Sequence, residues 1–151
     1  GLVAGEGEVK MAGAVGELRR EGGDLETHLL VGDDADLVLL ALAAPSERVS
    51  VLTMAGGPRS SPALLFSCAR FAEQLAAQLP GQVTGPEAKR DFLLLALLSG
   101  NDYLPGVAGT GGLPRLWKAY VAARNRRSMP LLGEDMQWNW PMMQQVMRMC
   151  G

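Results

Sequence analysis

The sequence predicts an α/β fold with a parallel sheet, and three observations carry that expectation. Short β-like runs alternate with longer apolar helical runs. The connections between them are short, as right-handed crossovers between parallel strands require. Glycine–acid clusters fall at the ends of the apolar elements, where parallel sheets place their functional loops. Hydrophobic residues make up 48% of the 151 and charged residues 20%, a globular balance that excludes a disordered tail, a collagenous repeat or a disulfide scaffold. The length suits one domain with a real core.

Residues 8–21 (EVKMAGAVGELRRE) place Met11, Val15 and Leu18 at helical spacing and stop at Gly22 and Gly23. Thr27–Val31 (THLLV) reads as a strand ending at Gly32-Asp33-Asp34. Leu37–Ala44 (LVLLALAA) is apolar throughout, a buried helix closed by Pro45. Val49–Met54 (VSVLTM) is a second buried strand, and Gly56–Pro62 a loop. Ala63–Leu79 reads as a helix with Leu64, Ala69, Phe71, Leu75 and Leu79 inward. Pro80–Pro86 is a loop, Ala88–Ser99 another apolar helix, and the chain from Gly106 is helical with Gly and Pro breaks.

The net charge of −2 speaks at first against a nucleic-acid binder. The distribution says more: residues 1–109 hold 8 basic and 14 acidic side chains, whereas 110–151 hold 6 basic and 2 acidic. Cys68 and Cys150 lie far apart without CxxC spacing, which suits buried reduced thiols in an intracellular protein rather than a disulfide or a zinc site. No apolar run reaches the roughly 18 residues of a membrane span, so no membrane partner is expected.

Three acidic clusters stand out: Gly5-Glu6-Gly7-Glu8, Gly32-Asp33-Asp34-Ala35-Asp36, and Gly100-Asn101-Asp102. One Asp would suffice to cap the helix after residue 34. Three within four residues repel one another unless a cation neutralises them, so capping and metal binding both stay open on these residues alone. Asp34 and Asp36, like Glu6 and Glu8, are two apart, a spacing that turns both to one side where the backbone is extended. Carboxylate donors with no Cys beside them and a single His, His28, suit a hard cation, Mg²⁺ or Mn²⁺. Such sites hold two ions that clamp the attacking and leaving oxygens of a phosphodiester. His28 is expected to pack or hydrogen-bond within its strand. The segment Arg115–Arg127 carries Arg115, Lys118, Arg124, Arg126 and Arg127 interleaved with Trp117 and Tyr120. It suits phosphate contact and base stacking, or a solvated face with both aromatics in the core. Met136, Met142, Met143, Met147 and Met149 suit packing or an interface, and Trp138 and Trp140 a structural role.

GEGEVK (5–10), GDDADLVLLALA (32–43) and RDFLLLALLSGNDYLPG (90–106), in that order, resemble three signature blocks of the XRN family of 5′→3′ exoribonucleases, and GEDMQWNWPMMQQVMRM (133–149) is similar to the segment that follows them. The resemblance implies a Rossmann-like parallel sheet flanked by helices, of the PIN and flap-nuclease type. Residues 1–109 would be the C-terminal half of that core and 110–151 its basic helical extension. It further implies two Mg²⁺ or Mn²⁺ ions on Glu6, Glu8, Asp34, Asp36 and Asp102, with Asn101 beside the last acid, and hydrolysis of single-stranded RNA from its 5′ end. Since the family has further acids and a basic 5′-phosphate pocket before GEGE, the chain is expected to be a fragment, inactive alone, that works with the preceding part of the domain or in a larger complex in nucleus, cytoplasm or an organelle. Val9 and Gly106 stand where the family has His. Gly106 makes 100–112 resemble the flap-endonuclease relatives, where a GxDYxPGxxGxG stretch grips DNA. A structure-specific DNA endonuclease and a non-catalytic nucleic-acid-binding or scaffold module are the alternatives.

Overall fold

A computed structural model describes residues 10–11, 13–14, 16–17, 27–44, 46, 48–54, 63–100, 105–133 and 135–151. The chain divides into two compact units, 1–71 and 72–151.

In the first unit, Lys10, Met11, Gly13, Ala14, Gly16 and Glu17 are helical, as the spacing of 8–21 predicts. Strand β1 (His28–Val31) then leads through helix α1 (Ala35–Ala43) into strand β2 (Val49–Met54). The two strands pair in parallel, from His28↔Val49 to Val31↔Leu52, so β1–α1–β2 is the expected crossover unit. Helix α1 buries Leu37, Ala41 and Leu42 and packs on β2. Val49 and Val51 alternate inward on β2, giving the pleat one buried face.

The expected helix over Ala63–Leu79 is corrected. Ala63–Ser67 is instead a strand, β3, and only Cys68–Ala76 forms a helix, α2. Strand β3 pairs antiparallel with β2, from Ser50↔Ser67 to Met54↔Ala63, making β2 the middle of a mixed three-stranded sheet rather than an all-parallel one. The physical reason is the unpaired edge of β2. It offers Leu64, Leu65 and Phe66 a ladder of backbone hydrogen bonds that outweighs a weak helical pattern. Ser67 then begins the helix, its hydroxyl accepting from the Arg70 N–H at 3.4 Å. Leu64, expected inward on a helix, is exposed on β3, as is Leu65 beside it.

The second unit is helical. Helix α3 (Gly85–Ser99) begins three residues before the expected Ala88, because Thr84 caps the Glu87 N–H at 3.3 Å and Pro86 fits the first turn. Helix α4 (Leu113–Arg126) packs against α3 on one side and helix α5 (Trp140–Cys150) on the other. Asn139 caps α5, accepting from the Met142 N–H at 3.2 Å. The core gathers Leu95, Leu116, Tyr120, Leu131, Met142 and Val146, all fully buried. The methionines divide: Met142 and Met143 pack inside, while Met136 is exposed. Cys68 and Cys150 are buried and form no disulfide. Among the described residues no helix is long and apolar enough to cross a membrane.

Candidate functional site

The loop between β1 and α1 lies at the carboxyl ends of the two parallel strands. The ladder runs one residue past β1, with the Gly32 N–H donating to the Leu52 carbonyl at 3.1 Å. The Asp33 carboxylate then reaches across to the end of β2, where Oδ1 accepts from the Met54 N–H at 2.6 Å and the Thr53 hydroxyl at 2.9 Å. The Met54 N–H, aided by the Thr53 hydroxyl, holds the Asp33 carboxyl below the usual carboxylate range. Asp33 is therefore a brace that pins the loop to the neighbouring strand.

Asp34 has extended backbone (φ −84°, ψ 137°) and caps α1, its Oδ1 accepting from the Asp36 N–H at 2.9 Å. Asp36 stands in the first turn of the helix. Capping uses one of the four oxygens of this pair. The other three have no hydrogen-bond partner among the described residues. Two adjacent carboxylates presenting uncommitted hard oxygens fit a divalent cation such as Mg²⁺ by donor chemistry. Among the described residues they do not complete a cluster of three or more acid, His or Cys donors. Glu6, Glu8, Asn101 and Asp102 lie outside the described residues. His28 is half-buried in β1.

In the second unit the basic segment divides. Arg115, Lys118, Arg126 and Arg127 are exposed on α4 and its C-cap. Arg124 is 3% exposed, with Nη2 on Glu87 Oε1 at 2.9 Å and its guanidinium 5.9 Å from the Tyr120 ring centre. It is spent inside the molecule. Trp117 donates through Nε1 to Gln78 at 2.9 Å and meets the Phe92 ring edge-on at 5.5 Å, while Tyr120 is buried. The two interleaved aromatics thus pack and bond internally.

Asp91, within the block RDFLLLALLSG, carries a role that no sequence motif announced. It is fully buried on the face of α3 that also presents Ala88 and Leu95. Its carboxylate accepts from the Tyr120 hydroxyl, from the Leu131 N–H at 2.9 Å and from the Leu132 N–H at 3.0 Å. Burial raises the Asp91 carboxyl above its usual range against the pull of these donors and of Arg124, and burial beside Asp91 raises the Tyr120 phenol as well. The signal was present: an acid at a core position of an apolar helix must have partners.

Among the described residues the turn between α3 and α4 carries four glycines with positive φ, Gly100, Gly109, Gly111 and Gly112. At Gly106 the constraint is space: a Cβ there would lie 2.3 Å from the Ser99 carbonyl oxygen. The Val107 N–H donates to Leu98 O at 2.9 Å, folding the turn back on the end of α3.

Residues 2–54 match the family model described as XRN 5'-3' exonuclease N-terminus. No curated protein is a match. The matched stretch ends on the last residue of β2 and contains β1, α1, the Asp33 brace and four of the five expected ligands, Glu6, Glu8, Asp34 and Asp36. Over residues 2–54, about a third of its length, the chain is thus similar to the N-terminal domain of the XRN 5′→3′ exonucleases.

Proposed function

We propose that the chain supplies the acidic metal-binding part of a 5′→3′ exoribonuclease that hydrolyses RNA phosphodiesters with two Mg²⁺ or Mn²⁺ ions. The observation that carries this reading is the placement of Asp34 and Asp36. Within the XRN-matched segment, they present uncommitted oxygens at the carboxyl ends of a parallel strand pair. Together with Glu6, Glu8 and Asp102 they would hold the ions. When bound, the ions would activate water and neutralise charge on the phosphate and the departing 3′ oxygen. The protein's own part is positional. The Asp33 brace fixes the loop to β2, the Asp34 cap sets the start of α1, and Asp36 is held in its first turn. In the overall step a P–O bond to water forms, the P–O bond to the 3′ oxygen breaks, and that oxygen takes up a proton. Arg115, Lys118, Arg126 and Arg127 offer phosphate contacts to the RNA. Such a protein would work inside the cell, in nucleus, cytoplasm or organelle.

The test is degradation of 5′-phosphorylated single-stranded RNA by the full-length protein with Mg²⁺. Asp36→Asn is expected to lower the rate about 10²–10³-fold, since a lost ligand removes several kcal/mol of charge stabilisation. An unchanged rate overturns the assignment. Gly106, which admits no side chain, favours one second reading: a structure-specific DNA nuclease gripping its substrate through the main chain of residues 105–112. Cleavage of branched DNA, with RNA left intact, would favour that reading. Hydrolysis of neither would favour a scaffold.

A further inference from the structure

The end of α4 and the outer side of α5 enclose a cleft of about 400 Å³ lined by Arg126, Arg127, Gln144, Gln145 and Arg148. No acid lines it, and among the described residues none of the three arginines is ion-paired. Three like charges converging without a counter-ion repel one another, an arrangement that an anionic ligand relieves. The same helix continues the surface in another chemistry. Trp140, Gln144 and Arg148 are four residues apart and all exposed, so they form one stripe along α5, about 12 Å from end to end at 1.5 Å per residue. At its start the rings of Trp138 and Trp140 stack 5.3 Å apart at 17°. They are 43% and 61% exposed, far too open for the packing role that tryptophan usually fills.

We infer that this face is a track for single-stranded RNA, with the Trp138–Trp140 pair a stacking platform for a base and Arg126, Arg127 and Arg148 the seat of the adjoining phosphates. Stacked aromatics beside a cationic groove are how single strands are held without sequence preference. The Gln144 amide between them both donates and accepts, as a ribose 2′-hydroxyl requires. A duplex fits poorly, because its bases are already stacked. The choice of RNA rests on the exoribonuclease reading above; the track itself includes none of the metal-binding acids.

The test is fluorescence anisotropy of labelled oligouridylate on the full-length protein with EDTA in place of Mg²⁺, so that nothing is cleaved. Arg148→Glu is expected to weaken binding about tenfold or more and to lower the slope of log K against log salt by about 0.7 for each phosphate no longer neutralised. Trp140→Ala is expected to weaken binding about tenfold with the salt slope unchanged, and Trp140→Phe to restore much of it. Both sites are exposed, and an unchanged circular dichroism spectrum confirms that each variant folds. Unchanged affinity in both variants overturns the track. So does weakening with Arg148→Glu alone, which marks a general polyanion cleft, or equal affinity for double-stranded RNA. Weakened binding in a protein that hydrolyses no RNA upholds the track while the exoribonuclease reading fails. Intact hydrolysis with unaltered binding gives the reverse.

Discussion

Aspartates at the edge of the sheet and an aspartate inside the helical unit are put to opposite uses. In the first unit, Asp33, Asp34 and Asp36 sit at the rim of the sheet, where Asp33 accepts from the neighbouring strand, Asp34 caps its own helix and the pair 34/36 keeps most of its oxygens uncommitted. In the second unit, Asp91 is wholly enclosed and accepts from a phenol and two backbone N–H groups brought from elsewhere in the chain. Charge at the rim is cheap to keep ionised and available to a cation. Charge in the core is costly, and endures only because its donors are in place. On the proposed reading, carboxylate chemistry belongs to the first unit; carboxylate architecture belongs to the second.

The largest effect that would test this contrast is the loss of Asp91. Asp91→Ala strands the Tyr120 hydroxyl, two N–H groups and the neighbouring Arg124, and is expected to cost about 3–5 kcal/mol in urea unfolding. Asp91→Asn, which keeps one acceptor, should cost less. A cost below about 1 kcal/mol for Asp91→Ala would erase the distinction between the units. At the rim, Asp34→Ala removes a helix cap and is expected to cost about 1 kcal/mol, whereas Asp34→Asn caps as well and should stay within a few tenths. Both should lose hydrolysis alike, so the pair separates folding from chemistry at one position.

The smallest effect is a difference in slope. The Asp33 carboxyl is held low in the folded protein, so its contribution to stability is present above the usual carboxylate range and fades as pH falls through its lowered value. Asp91 is held high, so the folded state keeps a proton that the unfolded chain releases, and its contribution fades as pH rises through that same range. Unfolding followed between about pH 3 and 6 should show Asp33→Asn weakening the rise of stability with pH and Asp91→Asn strengthening it. Shifts in the same direction would refute the assignment of the two environments.

Much of the first unit was legible in the sequence, because β1, α1 and β2 are local. A β-like run, an N-cap aspartate and a long apolar stretch each announce themselves over a short span. Strand β3 was not, since Leu64-Leu65-Phe66 suits a strand or a helix equally and the decision lay with the open edge of β2. Spacing singled out Asp34 and Asp36 as candidates, and of the two uses it left open the structure shows the Asp34 cap. The Asp33 brace was missed because its partners, Thr53 and Met54, are 20 and 21 residues away. Burial of Arg124 was hidden for a related reason: Glu87, which holds it, comes from a different helix, although Leu116, Tyr120 and Arg124 recur every four residues along the buried face of α4.

Gly106 has a consequence for engineering. Where the resembling exoribonucleases place a histidine, this chain has the one residue whose missing Cβ lets the backbone pass beside the Ser99 carbonyl oxygen. Any side chain grafted there, the histidine included, would have to displace that backbone from its route. A transplant of the family's residue must therefore bring the turn around it as well.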